Sequence, residues 1–174
     1  MKTLVRKMSS LKLLKVELIL GTVFSAIATV GLPISIFCLA PEMVAEPLAW
    51  AIALIGMLFF GSVGYFLFVR PYRIYNKLPD VLAEYDDEFL YIHGKKEAKI
   101  PLSEITNVYI EADLPFILHQ DFLREMVIHF FSEEYGNIDL DIEGFGNYKL
   151  RFVPNAEDME HELFRFFDGV MNNT

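Results

Sequence analysis

Two uninterrupted apolar stretches, Leu18 to Ala40 and Ala49 to Val69, contain no charged residue and stand apart from the rest of the chain. At ~1.5 Å per residue they reach roughly 35 and 31 Å as helices, enough to cross a hydrocarbon layer of ~30 Å. The connection Pro41 to Leu48 is short and includes Pro41 and Pro47, so the helices are expected to return as an antiparallel hairpin. Beyond Pro79 the pattern changes from helical to alternating, in short β-rich stretches separated by turn residues. Phe89 to Ile92 and Ala98 to Leu102 flank His93, Gly94, Lys95 and Lys96 and predict a hairpin; Ile105 to Ile110 predicts another strand. Arg124 to Phe131 is apolar on both faces and reads as a strand covered on one side. Ile138 to Ile142 and Tyr148 to Val153 complete the set. After Pro154, the stripe Met159, Leu163, Phe166, Phe167 and Val170 predicts an amphipathic helix with Asn155 as its N-cap.

The fold class that follows is α+β. A transmembrane helical hairpin, residues 1–77, precedes a PH-like antiparallel β-barrel or sandwich with a C-terminal capping helix, residues 78–174. A turn on Gly144, Phe145 and Gly146 sets Asp141 opposite Lys149 and Asp139 opposite Arg151 on the outer face. Ile138, Leu140 and Ile142 then meet Tyr148, Leu150 and Phe152 on the inner one.

Within the apolar stretches, Gly21, Ser25 and Thr29 recur every four residues, and Ala53, Gly56, Gly61 and Gly64 supply small positions on the second. Such stripes let backbones approach where hydrophobicity cannot drive association, and they predict a packing seam. Neither stretch holds the ionisable groups that a substrate pathway needs.

Charge divides the chain. Residues 1–77 carry eight Lys/Arg against three Asp/Glu, net +5, and residues 78–174 carry seven against 21, net −14. Lys2, Arg6, Lys7, Lys12 and Lys15 precede the first stretch and Arg70, Arg73 and Lys77 follow the second, while the connection holds only Glu42 and Glu46. Both termini are therefore expected on the cytoplasmic side. The acidic half repels phosphate backbones, which argues against nucleic acid as a partner. Cys38 is the sole cysteine, so the fold rests on packing without an intramolecular disulfide. Phe37 is too large to precede a lipoprotein cleavage site, and the first apolar core is too long for a cleaved signal peptide, so that span is expected to stay in place.

Candidate chemistry is sparse. Asp139, Asp141, Glu143 and Gly144 imitate half a calcium loop, but Leu150 occupies the twelfth position, where a bidentate Glu belongs. His93, His119, His129 and His161 lack the spacing that fixes two imidazoles on one metal. Ser103 and Ser132 lie in no nucleophile motif. The expectation is a non-enzyme with no cofactor and no metal. Lys95, Lys96 and Lys99 are candidate lipid head-group contacts, each worth about 1 kcal/mol near an anionic leaflet. Leu114, Phe116, Ile117, Leu118 and Phe122 form an apolar connection that either plugs one end of the barrel or docks on the bilayer interface or a partner.

Phe59, Phe60 and Gly61 in the second span, Leu78 and Pro79 opening the polar part, and Ile100, Pro101, Leu102, Ser103, Glu104 and Ile105 with Val108 carry a resemblance over nearly the whole chain. The chain resembles small bacterial membrane proteins in which two spans precede a PH-like, membrane-flanked domain. That resemblance implies a fold and anchoring in the bacterial cytoplasmic (inner) membrane, and it brings no catalytic residues. The expected role is a non-catalytic module that presents an interaction surface at the inner leaflet to a protein partner or a second copy of itself. The alternatives are a lipid or small-ligand sensor, using a barrel-end pocket beside Lys95, Lys96 and the Phe116 loop, and a toxin-immunity protein.

Overall fold

A computed structural model of the chain describes residues 1–39 and 41–173; Ala40, the expected end of the first span, and Thr174 lie outside the described residues. The chain forms two compact units, one from Lys12 to Asn76 and a discontinuous one joining Met1–Leu11 to Lys77–Thr174.

The first unit is helical. Helix α1 (Lys12–Leu39) leads through a 3₁₀ turn (Pro41–Ala45) to α2 (Pro47–Gly64), which runs on through a π-helical turn (Tyr65–Val69) into α3 (Arg70–Lys77). Pro47 occupies the first turn of α2, where its missing N–H removes no intrahelical bond. Lys12–Cys38 and Pro47–Lys77 are each long and apolar enough to cross a membrane, and only 6% and 11% of their apolar windows are buried. Phe24, Ile27, Ile55 and Leu58 lie on the exposed faces.

Small residues line the contact between the helices. Ala49 and Ala53 are buried, and the Ser25 hydroxyl donates to the Phe60 carbonyl at 2.7 Å. A side chain on Gly21 would strike the Phe68 ring, and one on Gly64 would strike Ser25. Thr29 and Gly56 are half-buried at its edge. Gly61 lies outside this seam, with open space within 4 Å of where its Cβ would stand, because it is turned about 100° around the helix from Phe60. Toward the far end of the pair the Phe37 and Trp50 rings approach to 4.4 Å between centroids.

The second unit holds two antiparallel sheets. Strands β1 (Lys2–Arg6), β2 (Val81–Tyr85), β3 (Phe89–Ile92) and β4 (Ala98–Pro101) form the first, in that order, and β5 (Val108–Asp113), β6 (Tyr135–Ile142) and β7 (Gly146–Pro154) form the second. They do not close into the expected barrel. Pro101 ends β4 without an N–H for a further ladder, the chain turns through Leu102–Glu104, and β5 starts at Val108 rather than Ile105, already in the other sheet. Strand β1 was not expected, since its residues read as the basic flank of the hairpin. Instead it pairs with β2, and the Met8 N–H beyond it donates to the Phe152 carbonyl at 2.7 Å.

The β3–β4 hairpin pairs Phe89 with Pro101 and Ile92 with Ala98. In the β6–β7 pair, Asp139 faces Lys149, Asp141 faces Asn147 and Leu140 faces Tyr148, two residues away from the register expected of this turn. Gly144 (φ 82°) and Gly146 (φ 104°) reverse the chain one residue earlier than a turn centred on Phe145 would. As far as the Ile138–Leu150 pair the even shift keeps each side chain on its expected face, so Ile138, Leu140, Ile142 and Leu150 are still buried; beyond it the register shifts again and Val153 is buried as well.

Arg124 to Phe131 is not a strand. It belongs to helix α4 (Asp121–Phe131), which ends with Ser132 in the left-handed region and its N–H on the Ile128 carbonyl. Buried Val127 and half-buried Leu123 and Phe131 recur at the four-residue spacing of one helical face. The opposite face is also apolar, so the alternation of a two-sided strand and the stripe of a helix could not be told apart. Helix α5 (Ala156–Met171) buries Ala156, Leu163 and Phe167 against β5, β6 and β7, and Phe166 reaches the Tyr85 ring on β2 at 4.6 Å. Asn155 precedes it in the left-handed region and its side chain makes no capping bond.

Candidate functional site

Three surface features of the polar unit hold most of the candidate residues of the sequence. The first is an apolar face. Leu114 and Leu118 are buried and belong to the core, and Ile117 is half-buried. Phe116 and Phe122, by contrast, are 77% and 76% exposed. Four and eight residues after Phe122, on the same helical face, Met126 and Phe130 are also exposed. The apolar connection is therefore both core and surface, divided residue by residue. Helix α4 is held by Arg124, whose guanidinium pairs with Glu134, just ahead of β6, and with Glu157 of α5 at 3.0 Å.

The second feature is a cavity of 170 Å³ between the β3–β4 turn and β7, whose lining includes His93, Lys95, Lys96, Tyr148, Lys149 and Arg151. Lys149 is braced by Asp139 at 2.9 Å and by Asp113 at 3.5 Å. His93 Nε2 lies 3.1 Å from Glu84 Oε1, and the Tyr148 hydroxyl donates to the Phe145 carbonyl at 2.9 Å. Lys99 stands elsewhere, its ammonium 3.7 Å from the centre of the Phe89 ring. Phe116 is not part of this lining, so the lysines and the Phe116 loop do not share one pocket. In the sequence pattern Lys149 and Arg151 stand only as cross-strand partners of acidic residues. The signal that could have found them is their spacing, two apart on one strand face, in an otherwise acidic domain.

The third is an open cleft of 660 Å³ lined by Phe89, Leu102, Phe166 and Val170 with Asp87, Glu88 and Ser103 on its polar side. Beside it, Asp86 organises the β2–β3 turn. Its carboxylate accepts the N–H of Glu88 at 3.0 Å and of Phe89 at 2.8 Å, and the Tyr91 hydroxyl at 3.1 Å. These donors, the two backbone N–H groups foremost, hold its pKa below the ordinary carboxylate value.

Among the described residues no group of three His, Cys, Asp or Glu side chains is placed to hold a metal ion. Asp139 is turned toward Lys149 and Asp141 is exposed opposite Asn147, so the imitation of a calcium loop is a pair of strand positions. No family model, curated protein or solved structure matches the chain.

Proposed function

We propose that this chain is a non-catalytic, membrane-anchored module: α1 and α2 insert as a hairpin, and the polar unit presents the Phe116, Phe122, Met126 and Phe130 face to a partner protein. The observation that carries the reading is the exposure of the two apolar helices, whose windows are 6% and 11% buried. Water-soluble monomers rarely leave apolar patches of that extent uncovered. Trp50 near the start of the second helix and Tyr65 and Tyr72 near its end suit the two interfaces of a bilayer. The cation-rich flanks favour a cytoplasmic location for both termini. Pairing of β1 with β2 supports the same placement, since the strand before α1 and the strand after α3 belong to one folded unit. Short strands followed by a final helix support kinship with the PH-like, membrane-flanked proteins of the bacterial inner membrane.

A photoreactive amino acid at Phe122 of the full chain, irradiated in native membranes, tests the partner. The expected product is an adduct with a different protein, lost when Phe116 and Phe130 are changed to Ser. Adducts with a second copy alone would replace the partner with self-association, and adducts with lipid alone would overturn the protein-docking role. Anchoring is tested separately by alkaline carbonate, which should leave the chain in the membrane pellet.

A further inference from the structure

We infer that the cavity between the β3–β4 turn and β7 is a binding site for a phosphate-bearing anion. Residues 78–174 carry seven Lys/Arg, and four of them, Lys95, Lys96, Lys149 and Arg151, line this one cavity. They converge from two different sheets in a region of net charge −14. Like charges gathered this way repel one another, and the domain has carboxylates in excess with which to neutralise them. It neutralises only one: Asp139 and Asp113 both brace Lys149. Lys95, Lys96 and Arg151 have no ion-pair partner among the described residues. Glu84 is turned to His93, on the cavity's edge.

The backbone around Arg151 departs from a regular strand. Gly136 pairs with Val153 but Ile138 pairs with Leu150, so Arg151 and Phe152 together stand opposite Asn137. Phe152 takes φ 60°, a region that side chains rarely adopt. A bulge of this kind re-aims side chains, and it leaves Phe152 and Val153 both buried while Arg151 lines the cavity. The Met8 N–H fastens the bulge by its bond to the Phe152 carbonyl.

Size and charge select the ligand. At 170 Å³ the cavity is smaller than the ~300 Å³ and above typical of sites for drug-sized molecules. One guanidinium and two unpaired ammonium groups offer the charge-assisted donors that a phosphate's oxygens accept. A nucleic acid would bring its extended charge against the surrounding acidic surface. A single phosphate, free or on a lipid head group, meets only the cavity.

The test uses the full chain in nanodiscs and reads the rate at which acetic anhydride modifies each lysine, by mass spectrometry. Inorganic phosphate is titrated onto phosphatidylcholine nanodiscs in one arm, and phosphatidic acid is added to the nanodisc in the other. Saturable protection of Lys95 and Lys96, with Lys99 unprotected as the internal reference, is the expected result. Protection in the first arm identifies a free phosphate, and protection in the second alone identifies a head group. Arg151→Gln should weaken the protection about tenfold, the loss of one charge-assisted contact. Lys96→Glu, in an exposed turn, should do the same to Lys95 without touching the core. Protection that is absent in both arms, equal at Lys99, or unchanged in both variants would overturn the assignment.

Discussion

Val5 stands opposite Ala83 in an antiparallel pair, and both side chains are buried, at 0% and 1% exposure. The residue that precedes the first apolar helix is thus a strand partner of one that follows the second. Lys7 strengthens the junction, its ammonium donating to the Leu78 carbonyl at 2.7 Å and lying 3.5 Å from Asp80. The polar unit consequently needs its first eleven residues, although the helical hairpin and its connections, Lys12–Asn76, separate them from the rest.

A fragment beginning at Leu78 should therefore be unstable, and the same fragment joined through a short flexible linker to Met1–Leu11 should fold. Loss of Val5 alone removes roughly 1.5–3 kcal/mol of burial, and the naked edge of β2 becomes a template for aggregation. Urea unfolding followed by circular dichroism compares the two. Equal stability of both fragments would mean that β1 is dispensable.

The helix seam predicts a contrast between two glycines three residues apart. Gly64→Leu places a side chain against Ser25 and should cost about 1–3 kcal/mol of overpacking, whereas Gly61→Leu points into open space. Thermal unfolding in detergent micelles should fall for the first and stay unchanged for the second. The reverse order would place the helix contact on the other face.

These relationships differ in how far the sequence announces them. The apolar helices were legible because over twenty uncharged residues in a row permit few other structures. The β3–β4 hairpin was legible from alternation around His93, Gly94, Lys95 and Lys96. Strand β1 was not: Lys2 to Arg6 holds only Leu4 and Val5 as apolar residues, sits beside a span, and pairs with a distant partner. Helix α4 hid behind its two apolar faces. The basic cavity was half visible, since Lys95 and Lys96 stand in a turn. Arg151 was assigned to Asp139, and only the observed register, which gives Asp139 to Lys149, leaves it free.

Asp86 should give the polar unit a distinct acid response. Its folded pKa lies below the ordinary value because two backbone N–H groups and the Tyr91 hydroxyl bond to the carboxylate. The ionised form is thus the one that folding favours. The resulting stability is fully present above the unfolded pKa of about 3.9 and is lost as pH falls through the lower folded value. Unfolding of Asp86→Ala, followed across pH, should differ most from wild type near neutrality and approach it as the solution is acidified below ~4. A constant difference at every pH would mean that the turn depends on the side chain's shape and not on its charge.

Leu118 and Phe122 lie four residues apart on the same connection, yet one is 1% and the other 76% exposed. Leu118→Ser removes a buried side chain and buries a hydroxyl, and it should destabilise the polar unit by roughly 3–5 kcal/mol. Phe122→Ser takes an aromatic ring off the surface and should change stability by no more than about 0.5 kcal/mol. If the exposed face is a docking surface, the two substitutions also separate by function. Phe122→Ser should keep a native urea midpoint while losing the photocrosslink read from a reactive group at Phe130. A large loss of stability in Phe122→Ser would instead make the ring part of the core, and the docking face would then have to be sought elsewhere on the unit.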